Sequence, residues 1–131
     1  IVIDDYAHHP TEIKATLMSL KKLDNRRMCI IFEPHRYTRL ESFWTEFQEA
    51  LDVGEDVYVG PIYAASESPI EGIDSQTLVD HMKTKGIQAH LMKSLDDMET
   101  LLHEKMREEI IFVTLGAGLI SKKMRKFVAR L

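Results

Sequence analysis

At 131 residues, 44% hydrophobic and 29% charged, the chain is long enough to bury one core and too evenly mixed to be disordered or fibrous. A formal net charge of −4 argues against a general nucleic-acid binder, since neutralising phosphates takes a basic face. No apolar run approaches the roughly 20 residues that span a bilayer and no secretory leader is recognisable, so a cytoplasmic protein is expected, and a single cysteine, Cys29, excludes an internal disulfide and reads as a buried thiol.

The chain opens on the apolar run 1–3, which reads as a strand already under way at Ile1, as in a piece cut from something larger. "DDYAHHPTE" follows at 4–12. Pro10 suits the first position of a helix, where its missing amide proton has no helical partner, and Ile13, Leu17 and Leu20 give that helix an apolar stripe. Residues 28–32, "MCIIF", read as a second strand, followed by "EPHRYTR". "TRLE" at 38–41 predicts a helix capped by Thr38 and continuing through Phe43, Phe47, Ala50 and Leu51, with Trp44 in the core.

Residues 57–59 read as a third strand, and 60–74, "GPIYAASESPIEGID", form the longest irregular stretch, punctuated by Pro61, Pro69 and Gly72. Leu78, Val79 and Met82 mark a helix that Gly86 stops, and 87–91 read as a fourth strand. "SLDD" at 94–97 predicts another capped helix, with Leu95, Met98, Leu102 and Met106 inward. The fifth strand, 110–113, leads into "TLGAGLIS".

Strands alternating with helices predict an α/β fold: a single domain over 1–131 with a Rossmann-like, mostly parallel sheet and helices on both faces. In such sheets ligands bind beyond the carboxyl ends of the strands, and the chemistry-bearing residues of this chain collect there. Arg36 and Arg39 flank an expected helix start, where two planar guanidiniums suit a carboxylate or phosphate. Asp5 at a strand end suits hydrogen bonds from ribose hydroxyls. His8 or His9 suits donating a hydrogen bond to a phosphate or orienting a nucleophile, and His9, beside Pro10, suits a cap better than His8 does. A metal site from Asp4, Asp5, His8 and His35 matches no strong ligand spacing, and none is assigned. "TLGAGLIS" has the form of a phosphate-binding turn, with Ser121 where the dinucleotide fingerprint has its third glycine; its glycines also suit close approach to a neighbouring element. No P-loop is present to hold a triphosphate. His81, His90 and His103 lie away from this rim.

Taken in order, "DDYAHHPTE", "EPHRYTR", "YAASE" and "LGAG" resemble the C-terminal domain of the Mur ligase family over the whole chain, and "PHRYTR" is similar to its alanine-adding branch in particular. The resemblance implies an ATP-dependent ligase of peptidoglycan precursor synthesis that joins L-alanine to UDP-N-acetylmuramate through an acyl phosphate. It implies N-terminal UDP-sugar and central ATPase domains absent from this chain, with ATP and Mg2+ held mainly by the central one. It also implies that Asp5 contacts the ATP ribose, that Tyr6, His8, Arg36 and Arg39 bind L-alanine, and that His8 acts at the reacting carbonyl. Loop contacts are expected at Gly116, Ala117 and Gly118, while Leu119 replaces a residue that is often polar in the family, so no contact is carried over there. The isolated domain is expected to be inactive. A muropeptide-recycling ligase and a free-standing nucleotide- or anion-binding module are the other readings.

Overall fold

The structure is a computed structural model and describes residues 1–130. Its centre is built by strands that are buried on both sides. In β2 (Arg27–Phe32) every residue after Arg27 is buried, and successive side chains leave on opposite faces. Met28, Ile30 and Phe32 therefore enter one apolar cluster while Cys29 and Ile31 enter another. In β5 (Ile110–Leu115), likewise buried throughout, Ile111, Val113 and Leu115 join the first cluster, and Ile110 and Phe112 the second. With β1 (Val2–Asp5), β3 (Asp56–Val59) and β4 (Ala89–Leu91) these strands form one parallel sheet in the order β1-β5-β2-β3-β4.

The first cluster lies under α1 (Pro10–Leu23), α2 (Tyr37–Ser42), α3 (Trp44–Leu51) and α4 (Ser75–Thr84); the second lies under α5 (Asp97–Lys105) and α6 (Leu119–Ala129). The expected α/β architecture with helices on both faces is thus realised. Each fully buried Leu, Ile or Phe contributes about 1.5–3 kcal/mol of transfer free energy. The Cys29 thiol, buried between β2 and the second helix layer, is pushed up to about 12.

Local signals held at some ends and failed at others. α1 starts as expected: Pro10 is its first residue, His9 Nδ1 accepts from Thr11 N at 3.2 Å and Glu12 accepts from His9 N at 3.2 Å. Gly86, at φ +80, ends α4 with Ile87 N–H donating to Met82 O and its own N–H donating to Lys83 O, a paired closure that needs the left-handed backbone. The two predicted capping boxes do not form. Ser94 Oγ accepts from Asp96 N, and α5 begins only at Asp97. Thr38 lies inside α2, which starts at Tyr37, because its hydroxyl and amide both donate to Glu67. The single helix expected over this region divides at Phe43, which leaves helical geometry (φ −121, ψ 31) as its ring packs on His9 and Phe47.

Candidate functional site

All five strands being parallel, their carboxyl ends share one rim, and the loops after β1, β2, β3 and β5 meet on it. His8, from the first loop, and His35, Arg36 and Arg39, from the second, line an open cleft of about 400 Å³ together with Thr38, Ser42 and Phe43. The His8 and His35 rings stand 5.7 Å apart, and His35 stacks at 5.3 Å on Tyr63 from the third loop. Burial, and then the positive charge of Arg39, holds the His35 imidazole below its ordinary pKa, so it is neutral at pH 7. Its Nδ1 and the Nη1 of Arg39 are buried without a partner in the protein. A cleft with two guanidiniums, one of them incompletely paired, has the donors an anionic group needs.

The backbone is held under strain where these groups sit. Arg36 has φ +70 and ψ 140, a region costly for any residue with a Cβ. It is fixed there by its N–H donating to Tyr63 O at 2.8 Å, while Tyr63 N–H donates to Pro34 O at 2.8 Å. His35 and Tyr63 thereby extend the β2–β3 pairing beyond the strands themselves.

His8 Nδ1 lies 3.0 Å from Tyr6 O. A carbonyl can only accept, so Nδ1 carries a proton, and in the neutral tautomer this contact selects Nε2 is the acceptor. The structure therefore brings His8, Arg36 and Arg39 together as the sequence suggested. Asp5 and Tyr6 are placed differently. Asp5 is turned into the chain, accepting from Ala7 N at 2.8 Å and from Thr16 Oγ1 at 3.0 Å. Tyr6 is outside the cleft lining, 53% exposed, with its hydroxyl accepting from Arg125 at 2.7 Å. Asp4 accepts from Thr114 and Ser121, tying β1 to β5 and α6.

The phosphate-turn form of "TLGAGLIS" is corrected. The amides of Gly118, Leu119 and Ile120 donate to the carboxylate of Glu33 at 3.0, 3.0 and 3.3 Å, so the anion at this helix start is the protein's own. Glu33 is only 1% exposed, and burial outweighs the three amides to hold its carboxyl above the usual range. The glycines permit this closeness. A Cβ on Gly116 would lie 2.7 Å from Ile120 Cγ2 and 2.9 Å from Glu33 Cβ, and one on Gly118 would lie 2.7 Å from the Tyr63 ring and 2.8 Å from Glu33 Oε1. Gly116 is buried; contact from outside is confined to Ala117 and Gly118.

Sequence reasoning missed Glu33, Tyr63 and Glu67, and weighed His35 only as a metal ligand. Glu33 carried one signal, as the first polar residue after an apolar strand, but its partner amides lie 85 residues and more away. His81, His90 and His103 stand off the rim as expected, packed against Trp44, Tyr58 and Phe127 respectively.

The sequence profile of the family described as Mur ligase, glutamate ligase domain, matches residues 1–118. This chain belongs to the Mur ligase family. The UDP-N-acetylmuramate–L-alanine ligases of Sulfurihydrogenibium sp. and Rickettsia bellii are similar to this Mur ligase domain at 40% and 42% identity over 93% and 92% of its length. It spans only 27% and 26% of those two proteins, about a quarter of each. Among solved structures, the UDP-N-acetylmuramate-alanine ligase of Thermotoga maritima superposes with a TM-score of 0.74 at 29% identity, over 98% of this chain and 26% of that one. A murein peptide ligase from Psychrobacter arcticus shares the fold, with a TM-score of 0.68 at 19% identity over 98% and 26% of the two chains.

Proposed function

We propose that this Mur ligase domain is the amino-acid-binding, closing domain of an ATP-dependent ligase that joins L-alanine to UDP-N-acetylmuramate in cytoplasmic peptidoglycan precursor synthesis, and so serves cell shape and division. The observation that carries the reading is the convergence of Arg36, Arg39 and His8 on one open cleft at the sheet's carboxyl rim, in a chain whose relatives named above bear that activity. N-terminal UDP-sugar and central ATPase domains complete the polypeptide, and the central domain holds most of the ATP and the Mg2+.

The cleft's chemistry suits an amino acid presented by its carboxylate. Two guanidiniums fix both oxygens, which aims the amino group and lowers the entropic part of the barrier. His8, with Nε2 as an acceptor, is suited to take a proton from the incoming amine. ATP, when bound, supplies the phosphoryl group that activates the sugar's carboxyl. Asp5 fits a ribose: each of its oxygens accepts one bond from within the chain and retains capacity for another. Because the amino acid is held on this domain and the activated carboxyl on the others, reaction requires closure, which also expels water. Tyr6 enters the reading as a residue that reaches the amino acid only once the domains shut.

The test is phosphate release by the full-length parent with UDP-N-acetylmuramate, ATP and Mg2+, comparing L-alanine, a preformed tripeptide and no amine. Release that depends on L-alanine supports the reading; release with the tripeptide alone moves it to the recycling ligase. No release with any amine removes it.

A further inference from the structure

The "YAASE" stretch at 63–67 has no part in the mechanism above, yet both of its ends touch the arginine loop, Tyr63 at Pro34 to Arg36 and Glu67 at Thr38. We propose that Glu67 is a positioning residue for the Arg36/Arg39 clamp, acting through Thr38; this rests on reading the cleft as an amino-acid carboxylate site. The Glu67 carboxylate accepts from Thr38 N at 3.2 Å and from the Thr38 hydroxyl. Thr38 is the second residue of α2, so this contact fixes the turn of backbone that carries Arg36 on one side and Arg39 on the other.

The delivery of Glu67 is itself constrained. Glu67 N donates to Ala64 O at 3.0 Å, closing a tight turn whose two central residues, Ala65 at φ +50 and Ser66 at φ +74, are both left-handed. Among the described residues, the non-glycine positions with positive φ are these two and Arg36, so all of this strain lies in two facing loops. Strained backbone persists only where its surroundings over-determine it. Here the two loops brace each other, at one end through the backbone bonds of Tyr63 and at the other through the Glu67 side chain.

Charge and geometry pull in opposite directions. The Thr38 contacts hold the Glu67 carboxyl below its usual range, with a further contribution from Arg36, so Glu67 is ionised and its charge opposes a second carboxylate nearby. That repulsion is exposed to solvent and screened by salt. Release of Arg36 from its enforced conformation is not screened, because it moves the clamp itself. Geometry therefore wins, and removing Glu67 weakens amino-acid binding despite removing a negative charge.

In the full-length ligase, Glu67→Ala is expected to raise the KM for L-alanine about tenfold, a loss the size of a helix cap, with kcat and the KM for ATP unchanged. Glu67→Gln, which keeps one acceptor, falls between. Thr38→Val raises the alanine KM by itself and adds nothing in the Glu67→Ala background. An alanine KM that stays constant or falls in Glu67→Ala, or an equal rise for ATP, overturns the inference. Should the wild-type ligase show no alanine-dependent phosphate release, the ligase reading fails on its own, and Glu67 is judged by hydrogen exchange of the Thr38 amide in this chain: about tenfold faster in Glu67→Ala upholds the brace, and an unchanged rate refutes it.

Discussion

Glu33 offers the sharpest test of how the rim is built. Glu33→Ala removes the acceptor of three amides at the start of α6 and leaves a void beneath two glycines that were small in order to approach it. Orphaning a buried donor costs about 1–3 kcal/mol. Gly118 and Leu119 are open enough for water to replace the lost partner, whereas Ile120 is buried and its bond, at 3.3 Å, is the longest of the three. Relief of the carboxylate's own desolvation offsets part of the loss, so the net cost is about 1–2 kcal/mol. For a domain of this size that is a fall in Tm of about 5 °C, readable by calorimetry on the 131-residue chain. The pH dependence has a fixed sign. A carboxyl held above its unfolded pKa contributes most at low pH and loses that contribution as pH rises through the raised value. The gap between wild type and Glu33→Ala should therefore narrow from pH 4 to pH 7. A Tm within a degree of wild type would refute the account of Glu33 as the acceptor that holds these amides, and a gap that widens with pH would refute burial as the dominant influence on its carboxyl.

Arg36→Ala in the full-length ligase should raise the KM for L-alanine by about 10- to 100-fold, the loss of a charge-assisted pair, with a smaller change in kcat; an unchanged alanine dependence removes Arg36 from the clamp. Gly118→Ala puts a methyl 2.7 Å from the Tyr63 ring and should cost about 1–3 kcal/mol, seen as a lower denaturation midpoint in urea. The His35 imidazole should titrate below 6.5 by NMR, and added acetate should raise its midpoint because a bound anion favours the imidazolium; a midpoint above 6.5 without acetate would contradict its burial beside Arg39. The Cys29 thiol, pushed up to about 12, should react with a disulfide reagent only at the rate of unfolding, which a comparison of labelling with and without urea measures.

What the sequence disclosed follows from how far apart partners lie. The buried strands were legible because "MCIIF" and its counterparts carry both of their apolar faces within themselves, and α1 because His9, Pro10 and Glu12 sit side by side. The start of α2 was misplaced because the hydroxyl of Thr38 has a partner 29 residues on, stronger than the local box it otherwise resembles. The glycines of "LGAG" suggested either a phosphate turn or close approach to a neighbouring element; the second is realised, but nothing in the stretch itself reveals that the neighbour is Glu33. Of the site, the arginines and His8 were visible by residue type, while the loops that hold them, Tyr63 and the turn before Glu67, depend on contacts across the sheet.

The strand order has a consequence for synthesis. β5 lies between β1 and β2, so the two strands made first cannot touch; β2 has β3 on one side, but β1 and the other edge of β2 wait for a partner that begins at Ile110. Until then a ribosome-bound chain leaves β1 and one edge of β2 unpaired, and the longest-range side-chain contacts, those of Tyr6 with Arg125 and of Asp4 with Ser121 and Thr114, form last. The sheet is thus open to non-native edge pairing through nearly its whole translation, and its rim is complete only when the fifth strand enters.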